Sequence, residues 1–293
     1  MNISEMLGEY ERDYALAMLG VEDFPYQKLS GKTIVVDGES EYMKLTICMS
    51  LLALNDKEKL SIKVLMLGNG NELSEKLAER NDFSLCSYEQ AAATEYNFFI
   101  STGICGLELD GTSAEYCRIT NNFARAISTA KSCLERCILL SDYRVYGELE
   151  RGLVISENEA GFVPFSNNGD MSQTTAVSIE TYFSAYAKQF NLPTIILRSG
   201  ILLGAKAELP QNFTDELFSA VAEGKQISLP NTRKKYSFTY LNEVIHALLY
   251  AFYEFKENSV FNVISRNATV SYETCLYDAD KMNGICKNRT CSL

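Results

Sequence analysis

The chain has 293 residues, 46% hydrophobic and 22% charged, a balance that fits a globular protein with a sizeable core. Its 38 acidic residues outnumber 27 basic ones for a formal net charge of -11. That charge excludes nucleic acid and anionic membrane as expected partners, since both need a basic footprint. No apolar run approaches the roughly 18 residues of a transmembrane helix. The opening "MNISEMLGEYERDY" lacks the basic-then-apolar order of a signal peptide, so a cytoplasmic location is expected. Nine cysteines, an odd number scattered through apolar contexts such as Cys48 and Cys137, favour reduced thiols over a disulfide framework. With one histidine, His246, and only the isolated pairs Cys133/Cys137 and Cys286/Cys291, no metal site is expected.

Through "YQKLSGKTIVVDG" the chain runs from a turn into a buried strand over 33–37. "EYMKLTICMSLLALN" follows as a helix, its Met43, Ile47, Leu51 and Leu54 recurring near a 3.6-residue period. "SIKVLMLGNG" is a second strand ending in a glycine-rich turn, "NELSEKLAER" a short helix, and "YNFFISTG" a third strand bounded by Gly103. Residues 113–133 read as a helix leading into the strand "CILLSD". A loop rich in Gly, Asn and Ser (152–170) precedes the helix "TTAVSIETYFSAYAKQF". The next strand, "LPTIILRSG", is apolar on both faces, as a central parallel strand must be.

This alternation predicts an α/β fold, a Rossmann-like doubly wound parallel sheet. Ligands of such sheets sit at the carboxyl ends of the strands, where Gly38, Gly68, Gly103, Asp142 and Ser199 fall. After Gly204 the pattern changes to a helix at "NFTDELFSAVAEG", short strands, and the helix "YLNEVIHALLYAFYEF". The expected organisation is a leader over 1–30, a dinucleotide-binding-type domain over 31–204, and a smaller, shortened substrate-type lobe over 205–293, the two lobes interleaved.

Five segments in this order carry a family resemblance: "KTIVVDG", "LLSDYRVYG", "YFSAYAKQFNLPTIILRSGILLG", "LFSAVAEGKQISLP" and "YSFTYLNEVIHALLYA". From about residue 24 to 265 the chain resembles the extended short-chain dehydrogenase/reductases, in particular the NAD-dependent epimerases and dehydratases that act on nucleotide sugars. The resemblance implies NAD(H) as cofactor, a nucleotide sugar as ligand, and a Tyr-x-x-x-Lys pair for the chemistry. It places the tyrosine position at Ser172, the lysine position at Ala176, and the assisting Ser or Thr at Asp142. A serine hydroxyl without a neighbouring ammonium has no pKa near 7, as general-base work at neutral pH requires. Alanine can neither carry charge nor bind a ribose. The only tyrosine followed four residues later by a lysine is Tyr277, with Lys281, in the tail.

The cofactor turn is altered as well. Of the three glycines of the fingerprint, Gly38 is kept, while Glu41 and Lys44 stand at the other two positions. A glutamate beside a pyrophosphate repels it, and Lys44 offsets part of that charge. The acid expected just after the second strand to hold a ribose diol is missing from "LMLGNGNE", where Glu72 is the nearest, which leaves Asn69 as a weaker substitute. The expected cofactor contacts are therefore Gly38, Lys44, Asn69, Ser101 and Thr102, with Asn121 or Asn122 at the family's structural asparagine.

On the substrate side, Arg198 reads either as a structural ion pair or as a cleft residue. "NTRKKYSF" puts Tyr236 at the family's phosphate-binding arginine, and Lys234 and Lys235 become phosphate contacts after a one-residue slip or a solvated turn without it. Ile201 replaces the strand asparagine, and His246 reads as a structural histidine. The stripe Ile179, Tyr182, Tyr186, Phe190 fits core or dimer packing, dimerisation through this helix being what the resemblance implies.

Two functions follow as expectations. The first is a degenerate, non-catalytic relative that binds a nucleotide sugar or pairs with itself or an intact homologue. The alternative is an active nucleotide-sugar epimerase, dehydratase or decarboxylase with Asp142 as acid/base and weak NAD binding.

Overall fold

Thr33–Asp37 forms the first strand, β1, buried along four of its five residues, as an apolar run between two helical layers must be. The structure is a computed structural model, and it describes residues 24–109, 111–147, 156–159, 171–203, 235–264 and 269–271. Ser40 then caps helix α1 (Glu41–Glu58), its hydroxyl accepting from the Met43 amide at 3.2 Å. The elements β2 (Lys63–Leu67), α2 (Glu72–Leu77), β3 (Phe83–Cys86), α3 (Tyr88–Ala92) and β4 (Tyr96–Ser101) complete the first half. The second half runs α4 (Ser113–Thr129), β5 (Cys133–Asp142), α5 (Met171–Phe190), β6 (Thr194–Ser199), β7 (Ile201–Leu203), β8 (Lys235–Tyr240), α6 (Leu241–Tyr253), β9 (Ser259–Val263) and β10 (Thr269–Ser271).

Seven strands make one sheet in the order β3-β2-β1-β4-β5-β6-β9, with every neighbouring pair parallel. This is the expected Rossmann-like fold. The strand order reverses between β1 and β4, and at such a switch point the diverging loops leave a crevice for a ligand. One core lies under α1 and α6 and the other under α4 and α5. A second, three-stranded sheet pairs β7 with β8 in parallel and β8 with β10 antiparallel. The edge strand β9 pairs with β6 in the main sheet and helix α6 packs on that sheet, and both come from the segment that sequence placed in the smaller lobe.

Several elements differ from the sequence reading. The strand β3 and the short helix α3 were not expected, and β5 begins at Cys133 rather than Cys137. The helix α1 is not a one-sided stripe: Tyr42 to Asn55 are all buried, as in a helix enclosed in the core on all sides. On α5 the core face is Ala176, Ile179, Phe183 and Ala187, while Tyr182 and Phe190 are exposed. The described cysteines are free thiols, and no helix of the described residues is long and apolar enough to cross a membrane. The expected helix at 212–224 and the pair Tyr277/Lys281 lie outside the described residues.

Candidate functional site

At the switch point a cleft of about 840 Å³ opens beside the ends of β1, β2 and β3. Its floor begins at Gly38, which leaves β1 with φ of +145°. A Cβ there would sit 1.8 Å from Thr102 Oγ1, so only glycine lets the β1 turn pass this close to the end of β4. The amide of Thr102 donates to the Asp37 carbonyl at 2.8 Å. Ser101 Oγ donates to Asp37 Oδ2 at 3.1 Å and accepts from the Gly103 amide at 3.2 Å. Ser101 and Thr102, expected as cofactor contacts, are fully buried and are not among the described lining residues of the cleft. Burial pushes the Asp37 carboxyl up to about 7, against the opposing pull of the Lys44 ammonium and the Ser101 hydroxyl.

Several charges in and around the cleft are paired within the protein. The first turn of α1 carries Glu41, whose Oε2 lies 3.0 Å from Lys44 Nζ. The same ammonium reaches the Leu67 carbonyl at 3.4 Å. Glu39 is held from α4 by Arg118 and by Asn122, whose amide donates to Glu39 Oε1 at 3.0 Å. The sequence left Asn121 and Asn122 open, and Asn122 is the one that faces the cleft. Arg125 lies over the Tyr88 ring at 4.5 Å and 3.8 Å from Glu89. Asn69 lines the cleft beside Gly68 and Gly70.

The N-terminus of the first helix is where a dinucleotide's pyrophosphate gathers backbone amides and positive charge in folds of this kind. Here Glu39 and Glu41 flank that terminus, and Asp37 lies just before it. The two cations among the described lining residues, Lys44 and Arg125, each already face a carboxylate. The cleft therefore has the place and room for a dinucleotide and does not fit its pyrophosphate. Glu39 escaped the sequence reading, which weighed only the glycine positions, yet "DGESE" sets three carboxylates within five residues.

The catalytic positions lie apart from this cleft. Ser172, Ala176 and Asp142 are 5%, 1% and 3% exposed, and none of the three is among the described lining residues. Asp142 ends β5 as expected, but its carboxylate caps the following 3-10 turn, accepting from the Arg144 amide at 2.9 Å. It also accepts from Arg144 Nε at 3.0 and 2.9 Å and from a terminal guanidinium nitrogen of the same residue. Burial works against the charge of Arg144, and the Asp142 carboxylate more than reverses that, holding the guanidinium pKa above its ordinary value. Asp142 is an ion-pair partner in this structure, not a free base.

Arg198 takes the ion-pair alternative. Its Nε and one terminal nitrogen donate to the two oxygens of Glu180 at 2.9 and 2.7 Å. The other terminal nitrogen reaches the Tyr146 hydroxyl at 3.1 Å and the Glu157 carbonyl at 3.0 Å. The assignment of Arg198 as a substrate contact is corrected accordingly, because its donors are engaged inside the protein. Lys235 opens β8, and Lys234 lies outside the described residues. Ile201 sits on β7 and His246 is half-buried on α6.

Comparisons with known proteins fit this geometry. A family model described as the NAD dependent epimerase/dehydratase family matches residues 110–263, more than half of the chain. No curated protein matches. The fold is similar to that of a point mutant of UDP-glucuronic acid 4-epimerase from Bacillus cereus, in complex with UDP-4-deoxy-4-fluoro-glucuronic acid and NAD. The TM-score is 0.68 at 17% identity, over 89% of this chain and 85% of that one. UDP-glucose 4-epimerase from Thermotoga maritima, with UDP-glucose, gives 0.67 at 16% identity over 89% and 85%. The NAD complex of dTDP-glucose 4,6-dehydratase from Bacillus anthracis gives 0.66 at 14% identity over 88% and 83%.

Proposed function

Because this chain belongs to the NAD dependent epimerase/dehydratase family, we propose that it is a non-catalytic member that keeps the fold and works as a binding or partner subunit. The observation that carries this reading is the pair of side chains at the catalytic positions. Ser172 and Ala176 share one face of α5, and Glu180, one turn further along, is fixed by Arg198. The helix is thus anchored to the sheet, while the positions that should bear a phenol and an ammonium bear a buried hydroxyl and a methyl group.

A phenolate base needs a cation beside it to reach a pKa near neutrality. Serine and alanine supply neither partner of that arrangement. The active alternative assigns the proton transfer to Asp142, which requires a carboxylate free to exchange protons with a ligand. Its engagement by Arg144 counts against that role. As its ligand or partner, the chain takes either a nucleotide sugar, held without turnover, or an intact family member. The exposed Tyr182 and Phe190 of α5 supply apolar surface for such a partner.

Light scattering on the chain alone, and mixed with an intact family member from the same cell, tests the proposal. A mixed oligomer, or binding of UDP-glucose without conversion, is the expected result. Conversion of a nucleotide sugar by the chain alone would overturn it.

A further inference from the structure

The charges at the head of α1 form a closed set. Lys44 faces Glu41 at 3.0 Å, Arg118 and Asn122 hold Glu39, and Arg125 lies near Glu89. Asp37, buried behind them, adds a further carboxylate with Ser101 as its neutral partner. Glu41 turns its other oxygen, Oε1, into a buried position with no hydrogen-bond partner among the described residues. Among the described lining residues an entering phosphate would meet Glu39, Glu75 and Glu89, and the cations Lys44 and Arg125 each with a carboxylate beside it. Recruiting Lys44 or Arg118 would break its pairing with Glu41 or Glu39 and leave that carboxylate unpaired beside the phosphate.

We propose that Glu39 and Glu41 stand in for the dinucleotide's pyrophosphate: they engage Arg118 and Lys44 and exclude a dinucleotide from the cleft. The two glutamates are specificity-determining residues acting by repulsion, which discriminates as effectively as a favourable contact does. The cleft itself is kept, because Gly38 still permits the close approach of the β1 turn to Thr102. Its described lining carries the acids Asp37, Glu39, Glu75 and Glu89 against the cations Lys44 and Arg125. The inference rests on the reading of the chain as a non-catalytic member, and its test separates the two.

The test is calorimetric titration of ADP and of inorganic pyrophosphate into the full chain. The proteins compared are the wild type, Glu39→Gln, Glu41→Gln, the double variant, and the double variant carrying Lys44→Met. The wild type is expected to show no binding up to millimolar ligand. The double variant is expected to bind ADP roughly tenfold or more tightly than the wild type, each single variant part of the way, and Lys44→Met to cancel the gain. Micromolar ADP binding by the wild type would overturn the proposal, and so would folded variants that bind no better than the wild type. Should the double variant fail to fold, the single variants and the wild-type titration decide the matter. A wild type that binds ADP yet converts no nucleotide sugar would sink this inference and leave the non-catalytic reading standing.

Discussion

Arg198, next to last in strand β6, grips Glu180 of α5, one helical turn beyond Ala176, through two hydrogen bonds of 2.9 and 2.7 Å. The pair fixes how α5 lies on the sheet and so fixes where positions 172 and 176 point. Both side chains of the pair are largely buried, and removing one partner of such a pair leaves an uncompensated charge. Arg198→Met is expected to lose about 3–5 kcal/mol of stability in urea denaturation. The double replacement Arg198→Met with Glu180→Leu should lose less than the single one, because no charge is then stranded.

Asp37 makes stability depend on pH with a defined sign. Burial raises its carboxyl from the ordinary 3.8 to about 7 in the folded chain. Between those values the folded state binds the proton and the unfolded state does not, so this group's contribution falls as pH rises from about 4 to about 7. Asp37→Asn removes the dependence. Relative to wild type it should gain up to about 4 kcal/mol by pH 8, and the gain should vanish toward pH 4. Denaturation curves across this range check both the sign and the window.

Gly38 tolerates no side chain. An added Cβ would meet Thr102 Oγ1 at 1.8 Å, and the glycine holds φ at +145°. Gly38→Ala is expected to cost about 2–4 kcal/mol, read as a lowered melting temperature. Adding Thr102→Ala should restore part of the loss by removing the clash and leave the backbone strain.

Asp142→Asn separates a structural role from a catalytic one. The substitution leaves the Arg144 guanidinium, itself mostly buried, with the Ile104 carbonyl at 2.9 Å and no carboxylate. A loss of roughly 3 kcal/mol in thermal denaturation is the expected result. A variant with unchanged stability would contradict the structural role.

Much of the fold was legible because its central strands are buried on both faces. Runs such as "TIVVD" and "TIILRS" read as parallel strands, and Ser172 and Ala176 could be placed by counting along one continuous segment. The strand Phe83–Cys86 and the helix Tyr88–Ala92 were not legible, since four or five residues carry too little periodicity to register. The site was legible in its losses more than in its replacements. A glycine template directs attention to residues 41 and 44. The pairing of Glu39 with Arg118, 79 residues away, is a tertiary fact that no local pattern announces. Arg198 remained open for the same reason, because its partner Glu180 lies on another element.

The most direct measurement is turnover. The wild-type chain, purified free of any homologue, is incubated with NAD and, in turn, UDP-glucose, UDP-glucuronic acid and dTDP-glucose, and the sugars are followed by proton NMR. Unchanged sugar spectra and no NADH absorbance are the predicted result. An epimer or a dehydrated keto sugar whose formation is abolished by Asp142→Asn, with the fold intact, would contradict the account and return Asp142 to the role of acid/base.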